Sequence, residues 1–176
     1  MAEGQSLGYD GSMSLRTIIT LLRRHDLFAG VDAARLEVIA FTAERETFEV
    51  GDLMFEEGEE AFDAYLVLKG QAVMFSGDEA SAEKQPIEVG DLLGEMVLLN
   101  QSHYRSSVRA TSHVEVLCVS RYLFQRMMEE FPAMAGAVAA ALARRLDVTM
   151  GEMTKLAMDM KRPQQKNDKP REQTET

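Results

Sequence analysis

The chain of 176 residues holds a single cysteine, three histidines and only 7% aromatic residues. One cysteine excludes an intramolecular disulfide framework, and the place of Cys118 in the apolar run VEVLCV reads as a buried core thiol in a reducing compartment. His25, His103 and His113 are scattered, with no His-x-His spacing, which sets aside a metal-dependent enzyme on a barrel fold. Neither catalysis nor a metal or other cofactor is expected. Nowhere do apolar residues run for the roughly 18 positions that a membrane span needs, and the N-terminus lacks the basic-then-apolar layout of a signal peptide. No membrane partner and a cytoplasmic location are the expectations. Basic residues are scarce too: 19 Lys and Arg stand against 29 Asp and Glu, a net charge of -10. A phosphate-backbone contact surface needs clustered Lys and Arg, so no direct DNA binding is expected.

What is present suits one compact unit, because 45% hydrophobic residues in a chain of this length can bury a sizeable core. Residues 1–13 are rich in Gly and Ser without a periodic apolar face and read as a disordered extension. Ser14 is placed to cap a helix running to about His25, with Ile18, Leu21 and Leu22 on one face. Asp32 is placed to cap a second, with Leu36, Ile39 and Ala40 inward. The period then changes. Residues 47–50, 64–68, 72–75, 87–89, 108–111 and 114–119 read as short strands, and residues 76–85 as a solvated hairpin loop. The fold class is therefore mainly β with flanking helices, a jelly-roll β-barrel or double-stranded β-helix, followed by a long C-terminal helix.

Tyr122 to Glu130 reads as a short helix, and Pro132 can open the next one at its first turn. On that long helix Ala139, Ala143, Leu146, Met150, Met153, Ala157 and Met160 recur at alternating spacings of four and three. Such a seam pairs two helices, so a homodimer is expected. Residues 161–176 are polar, contain proline and read as a disordered tail.

The segment from Val89 to Ala110, VGDLLGEMVLLNQSHYRSSVRA, carries the chemistry. Gly94 lets the backbone come close to a ligand, and Glu95 adds a fixed carboxylate suited to a hydroxyl donor. Met96 to Leu99 reads as one apolar helical turn, whose first amides have no intrahelical partner and can face an anion. Arg105, Ser106 and Ser107 can supply a guanidinium and two hydroxyls to the same anion.

Five glycines, Gly51, Gly58, Gly70, Gly90 and Gly94, punctuate the strands, and the stretches FEVGDLMFEEGE, DAYLVLKGQAVMF and VGDLLGEMVLL follow one another in order. This pattern resembles the cyclic-nucleotide-binding domain family over residues 22–160. ALARRLDVTMGEMTKLAMDM is similar to the dimer helix of that family's bacterial catabolite-activator branch. The resemblance implies cAMP or cGMP as ligand. Glu95 would accept from the ribose 2'-hydroxyl, Gly94 would allow close approach and Met96 would offer its amide. Counted forward from Glu95, Arg105 and Ser106 take the cyclic phosphate. Counted backward from Val108 and Ala110, Tyr104 stands at the family's arginine position and Arg105 one residue late. Thr149 matches a position that bonds adenine, while Met150 replaces a serine hydroxyl. Sixteen residues after Met160 are too few for a winged helix-turn-helix, so the resemblance implies a sensor without its DNA-binding domain. The expected function is a cyclic-nucleotide sensor that signals through its dimer helix to an effector protein. The alternative is a degenerate fold that binds no nucleotide and serves for dimerisation or docking.

Overall fold

The computed structural model describes residues 13–160, which form two units, one ending at Ala141 and the other beginning at Leu142. The expected disorder over residues 1–12 and 161–176 concerns positions outside that span. Met13 is inside it, and its carbonyl accepts a hydrogen bond of 3.3 Å from Arg45.

The first unit opens with α1 (Leu15–Leu22), capped by the Ser14 hydroxyl, which accepts from the Thr17 amide at 3.2 Å. Ile18, Leu21 and Leu22 form its buried face. The helix ends three residues before the expected His25. Arg24 and His25 turn back with tighter amide bonds to the carbonyls of Leu21 and Leu22, and His25 starts the single turn α2 (Asp26–Ala29). A long-range contact fixes that break, with His25 Nε2 2.8 Å from the Gly90 carbonyl. Next, α3 (Ala33–Thr42) is capped by Asp32, which accepts from the amides of Ala34 and Arg35, and it buries Leu36, Ile39 and Ala40.

Ten strands follow in chain order: β1 (Glu44–Phe48), β2 (Leu53–Phe55), β3 (Glu60–Ala61), β4 (Asp63–Lys69), β5 (Ala72–Phe75), β6 (Gln85–Ile87), β7 (Leu92–Leu93), β8 (Ser102–His103), β9 (Ser107–Ala110) and β10 (Val114–Ser120). They make two four-stranded antiparallel sheets, ordered β1-β10-β4-β7 and β2-β9-β5-β6, and the separate pair β3-β8. Both large sheets contribute to one core, with Tyr65, Val67, Val116 and Cys118 from one and Phe55, Ala72, Val108 and Ala110 from the other. The jelly-roll class holds, but the sheets do not close into a continuous barrel. Pro86, which cannot donate a ladder hydrogen bond, sits in β6 at the outer edge of its sheet, where no further strand needs one.

After the roll come α4 (Arg121–Glu130), capped by Ser120, and α5 (Pro132–Met160). In the first unit α5 buries Met134, Val138 and Ala141, while the rings of Phe28 and Phe124 meet edge-on at 5.7 Å. The second unit is the outer part of α5, where Leu146, Met150 and Met153 are 64%, 66% and 65% exposed. The remaining seam positions Ala157 and Met160 are helical, and their side chains lie outside the described ones. Among the described residues no helix is long and apolar enough to cross a membrane.

Candidate functional site

Gly94 ends β7 in the left-handed region, with φ 72° and ψ 20°, and starts the 3-10 turn Glu95–Leu98. A side chain there would be strained by that φ and crowded as well. A Cβ would lie 3.2 Å from the Asp63 carbonyl oxygen, 3.3 Å from Cε1 of Tyr104 and 3.7 Å from Cγ2 of Val97. Glycine is needed because the chain itself comes close. The Val97 amide donates to the Gly94 carbonyl at 2.9 Å, and the Leu99 amide to that of Met96 at 3.2 Å. Val97 and Leu98 are buried and anchor the turn, while Glu95 is half-buried and Met96 half-exposed.

Tyr104 and Arg105 go opposite ways. Tyr104 is 8% exposed and Arg105 is exposed to solvent. The Tyr104 ring stacks on Phe55 with centroids 4.1 Å apart, Phe55 stacks on Tyr65 at 5.7 Å, and Phe48 meets the far side of Tyr65 edge-on at 6.4 Å. At the inner end of this column the Tyr104 hydroxyl donates to the Asp63 carbonyl at 2.9 Å, so its polar atom is satisfied while buried. Its backbone is fixed too: the amide donates to Glu59, and its carbonyl accepts from Gly58. Burial pushes the phenols of Tyr104 and Tyr65 above their ordinary pKa, and the nearby Tyr104 raises Tyr65 further. Burial likewise raises the Asp63 carboxyl, against the pull of its Cys118 and Arg121 neighbours, and raises the Cys118 thiol.

The two serines already have structural duties. Ser106 accepts from the Ser76 hydroxyl at 3.0 Å, and buried Ser107 accepts from the Glu57 amide at 2.9 Å. The Glu57 carboxylate in turn accepts from the Gly77 amide at 2.8 Å. The turn held by Ser107 and Tyr104 carries Glu56, Glu57, Glu59 and Glu60, so the surroundings of the segment are acidic. Thr149 lies on α5 in the second unit, where its hydroxyl donates to the Arg145 carbonyl at 2.9 Å. Among the described residues no group of three or more His, Cys, Asp or Glu could hold a metal ion.

Sequence reasoning passed over Phe55, Asp63 and Arg121. Phe55 and Asp63 take part through contacts with residues about forty to fifty positions away, which no local pattern announces. Arg121 donates to the carbonyls of Ala61 and Asn100 at 3.2 and 3.4 Å, and its guanidinium lies over the Phe62 ring at 5.5 Å. A basic residue following Ser120 at the start of a helix was the available signal.

The sequence model of the cyclic nucleotide-binding domain matches residues 45–131, from β1 to the end of α4. A cAMP-dependent protein kinase regulatory subunit of Hypocrea atroviridis is 34% identical over 90 residues, which are 51% of this chain and 19% of that protein. The cAMP-activated global transcriptional regulator CRP of Escherichia coli O6:H1 is 31% identical over 107 residues, 59% of this chain and 51% of the regulator. The chain thus spans about a fifth of the length of the kinase regulatory subunit and about half that of the transcriptional regulator. Among solved structures, a cyclic nucleotide-binding-like protein from Brucella abortus aligns at 31% identity and a TM-score of 0.60, over 64% of this chain and 98% of that one. A likeness that takes in nearly the whole of a relative rests on the fold and not on one motif, and the chain belongs to the cyclic nucleotide-binding domain family.

Proposed function

We propose that this chain is a cytoplasmic regulatory module that receives a cyclic nucleotide, cAMP before cGMP, at the segment from Gly94 to Ser107 and passes the occupied state to an effector protein. The carrying observation is the left-handed Gly94, which brings the backbone of the 3-10 turn against Asp63 of β4 and against Tyr104 between β8 and β9, within the span that the family model matches. Two relatives bear names that tie them to cAMP. In this reading Glu95 accepts from a ribose hydroxyl, Met96 offers its amide, and Arg105 and Ser106 address the phosphate. Output runs through α5, on which two copies pair. Leu146, Met150 and Met153 lie at helical spacing and stand open to water, and burying each stabilises by about 1.5–3 kcal/mol. The seam is therefore an apolar strip in search of cover. Titration calorimetry with cAMP and cGMP tests the reading, with saturable heat expected. Silence with both nucleotides up to near-millimolar concentration sinks it.

A second reading, that the module keeps the fold and regulates without a nucleotide, is favoured by one observation. The inward position between β8 and β9 is taken by Tyr104 and not by a cation, which leaves a bound phosphate without its charge-assisted partner, a loss of about 1.5–3 kcal/mol.

A further inference from the structure

We propose that Tyr104 is a built-in competitor of the ligand: its ring occupies the space beside Gly94 that a bound nucleotide would need, so the side chain sets the concentration at which the module responds. This rests on the nucleotide reading and deepens it. The space is contested on the side of Gly94 where a side chain would leave it. A carbon added there would stand 3.3 Å from the Tyr104 ring and 3.2 Å from the Asp63 carbonyl, closer than an ordinary contact, so a ligand atom approaching from that side meets the ring. Nor is the ring a loose lid. Phe55 covers one face at 4.1 Å, the hydroxyl is bonded to Asp63, and the backbone is held on both sides by Gly58 and Glu59. Tyr104 thus joins β2, β4, the turn over residues 56–59 and the Gly94 turn, a set of contacts that an external ligand would otherwise have to supply.

Occupation by the ring has a defined thermodynamic effect. A ligand that binds only after the ring leaves has an apparent dissociation constant equal to its intrinsic one divided by the fraction of molecules with the ring out. The buried, satisfied phenol makes that fraction small. A second consequence is structural, in that the unliganded Gly94 turn is already ordered, and removing the ring loosens it.

The experiment compares the wild type with Tyr104→Phe, Tyr104→Ala and Tyr104→Arg by calorimetry with cAMP, and by hydrogen exchange at the Val97 and Leu99 amides. Tyr104→Ala is expected to bind cAMP at least about tenfold more tightly than the wild type. Tyr104→Arg, which adds a cation where the ring stood, is expected to bind more tightly still. Tyr104→Phe keeps the ring without its hydrogen bond and is expected to fall between wild type and Tyr104→Ala. It also serves as the folded control should Tyr104→Ala unfold. Equal affinity across all four proteins overturns the proposal while leaving the nucleotide reading intact. If none binds cAMP, exchange decides. Val97 and Leu99 amides exchanging at least about tenfold faster in Tyr104→Ala, and slowed again by millimolar p-cresol, uphold Tyr104 as the occupant and sink the nucleotide reading. Unchanged exchange overturns the proposal.

Discussion

The roll and the outer part of α5 treat the same kinds of side chain in opposite ways. In the roll Leu66, Val67, Val108 and Leu117 are completely covered within the chain. Beyond Ala141, Leu146, Val148, Met150 and Met153 of α5 are between 61% and 66% exposed. The difference shows where each unit places its large apolar side chains: the roll covers these four within the chain, and the outer helix presents its described ones to solvent. Stability should therefore reside in the first unit and association in the second.

The largest expected effect comes from breaking the roll. Leu117→Ala should cost about 2–5 kcal/mol in urea unfolding, because the site lies between β1 and β4 and cannot collapse onto the cavity. A loss below 1 kcal/mol would mean that the roll is less tightly packed than its burial implies. Breaking the helix should do the reverse. Met150→Glu with Met153→Glu should convert a dimer to a monomer in sedimentation velocity, while shifting the unfolding free energy of the roll by no more than about 0.5 kcal/mol. A wild type that sediments as a monomer removes the assigned role of the seam. Within the roll, a smaller loss than that of Leu117→Ala is expected of Ser107→Ala, which deletes the acceptor for the Glu57 amide and should cost about 1–3 kcal/mol if the donor stays dry, or less if water reaches it. The expected trace is increased proteolytic nicking of the turn over residues 56–59.

The gentlest probe is pH. Tyr65 and Tyr104 have folded pKa values above their unfolded ones, so their contribution is complete below the ordinary phenol value of about 10 and is lost as pH rises beyond it. Cys118 adds to the same decline from about pH 8.5 upward. Tyr65→Phe should flatten the alkaline fall in melting temperature, whereas the double substitution on α5 should leave it unchanged.

Much of the roll could be read before the structure, where the cause was local. All five marked glycines have φ between 72° and 97°, and Ser14 and Asp32 cap the helices they precede. The helix after β10 lies within one residue of its expected start, because Ser120 accepts from the Leu123 amide. Elements created by a distant partner were not legible. The pair β3-β8 is two residues long on each side, and Leu92–Leu93 becomes a strand only by pairing with Tyr65 and Leu66. Tyr104 and Arg105 show the same limit at single-residue scale. The chain bends over Arg105 and Ser106 before β9 begins, and where that bend falls is set by the pairing of Ser107 with Phe75 and of Val108 with Met74 and Phe55. No pattern within residues 102–107 contains that information.

Arg121 ties two events together that would otherwise be separable. As the first residue of α4, it donates its backbone amide to Phe62 and its guanidinium to Ala61 and Asn100. The chain leaving the 3-10 turn and the helix that leads toward α5 therefore share one fastening. Lengthening the loop over residues 99–101, or pulling it aside, would reach the root of α4 directly through the Asn100 carbonyl, which makes this arginine a natural place to splice a man-made input into the protein's output.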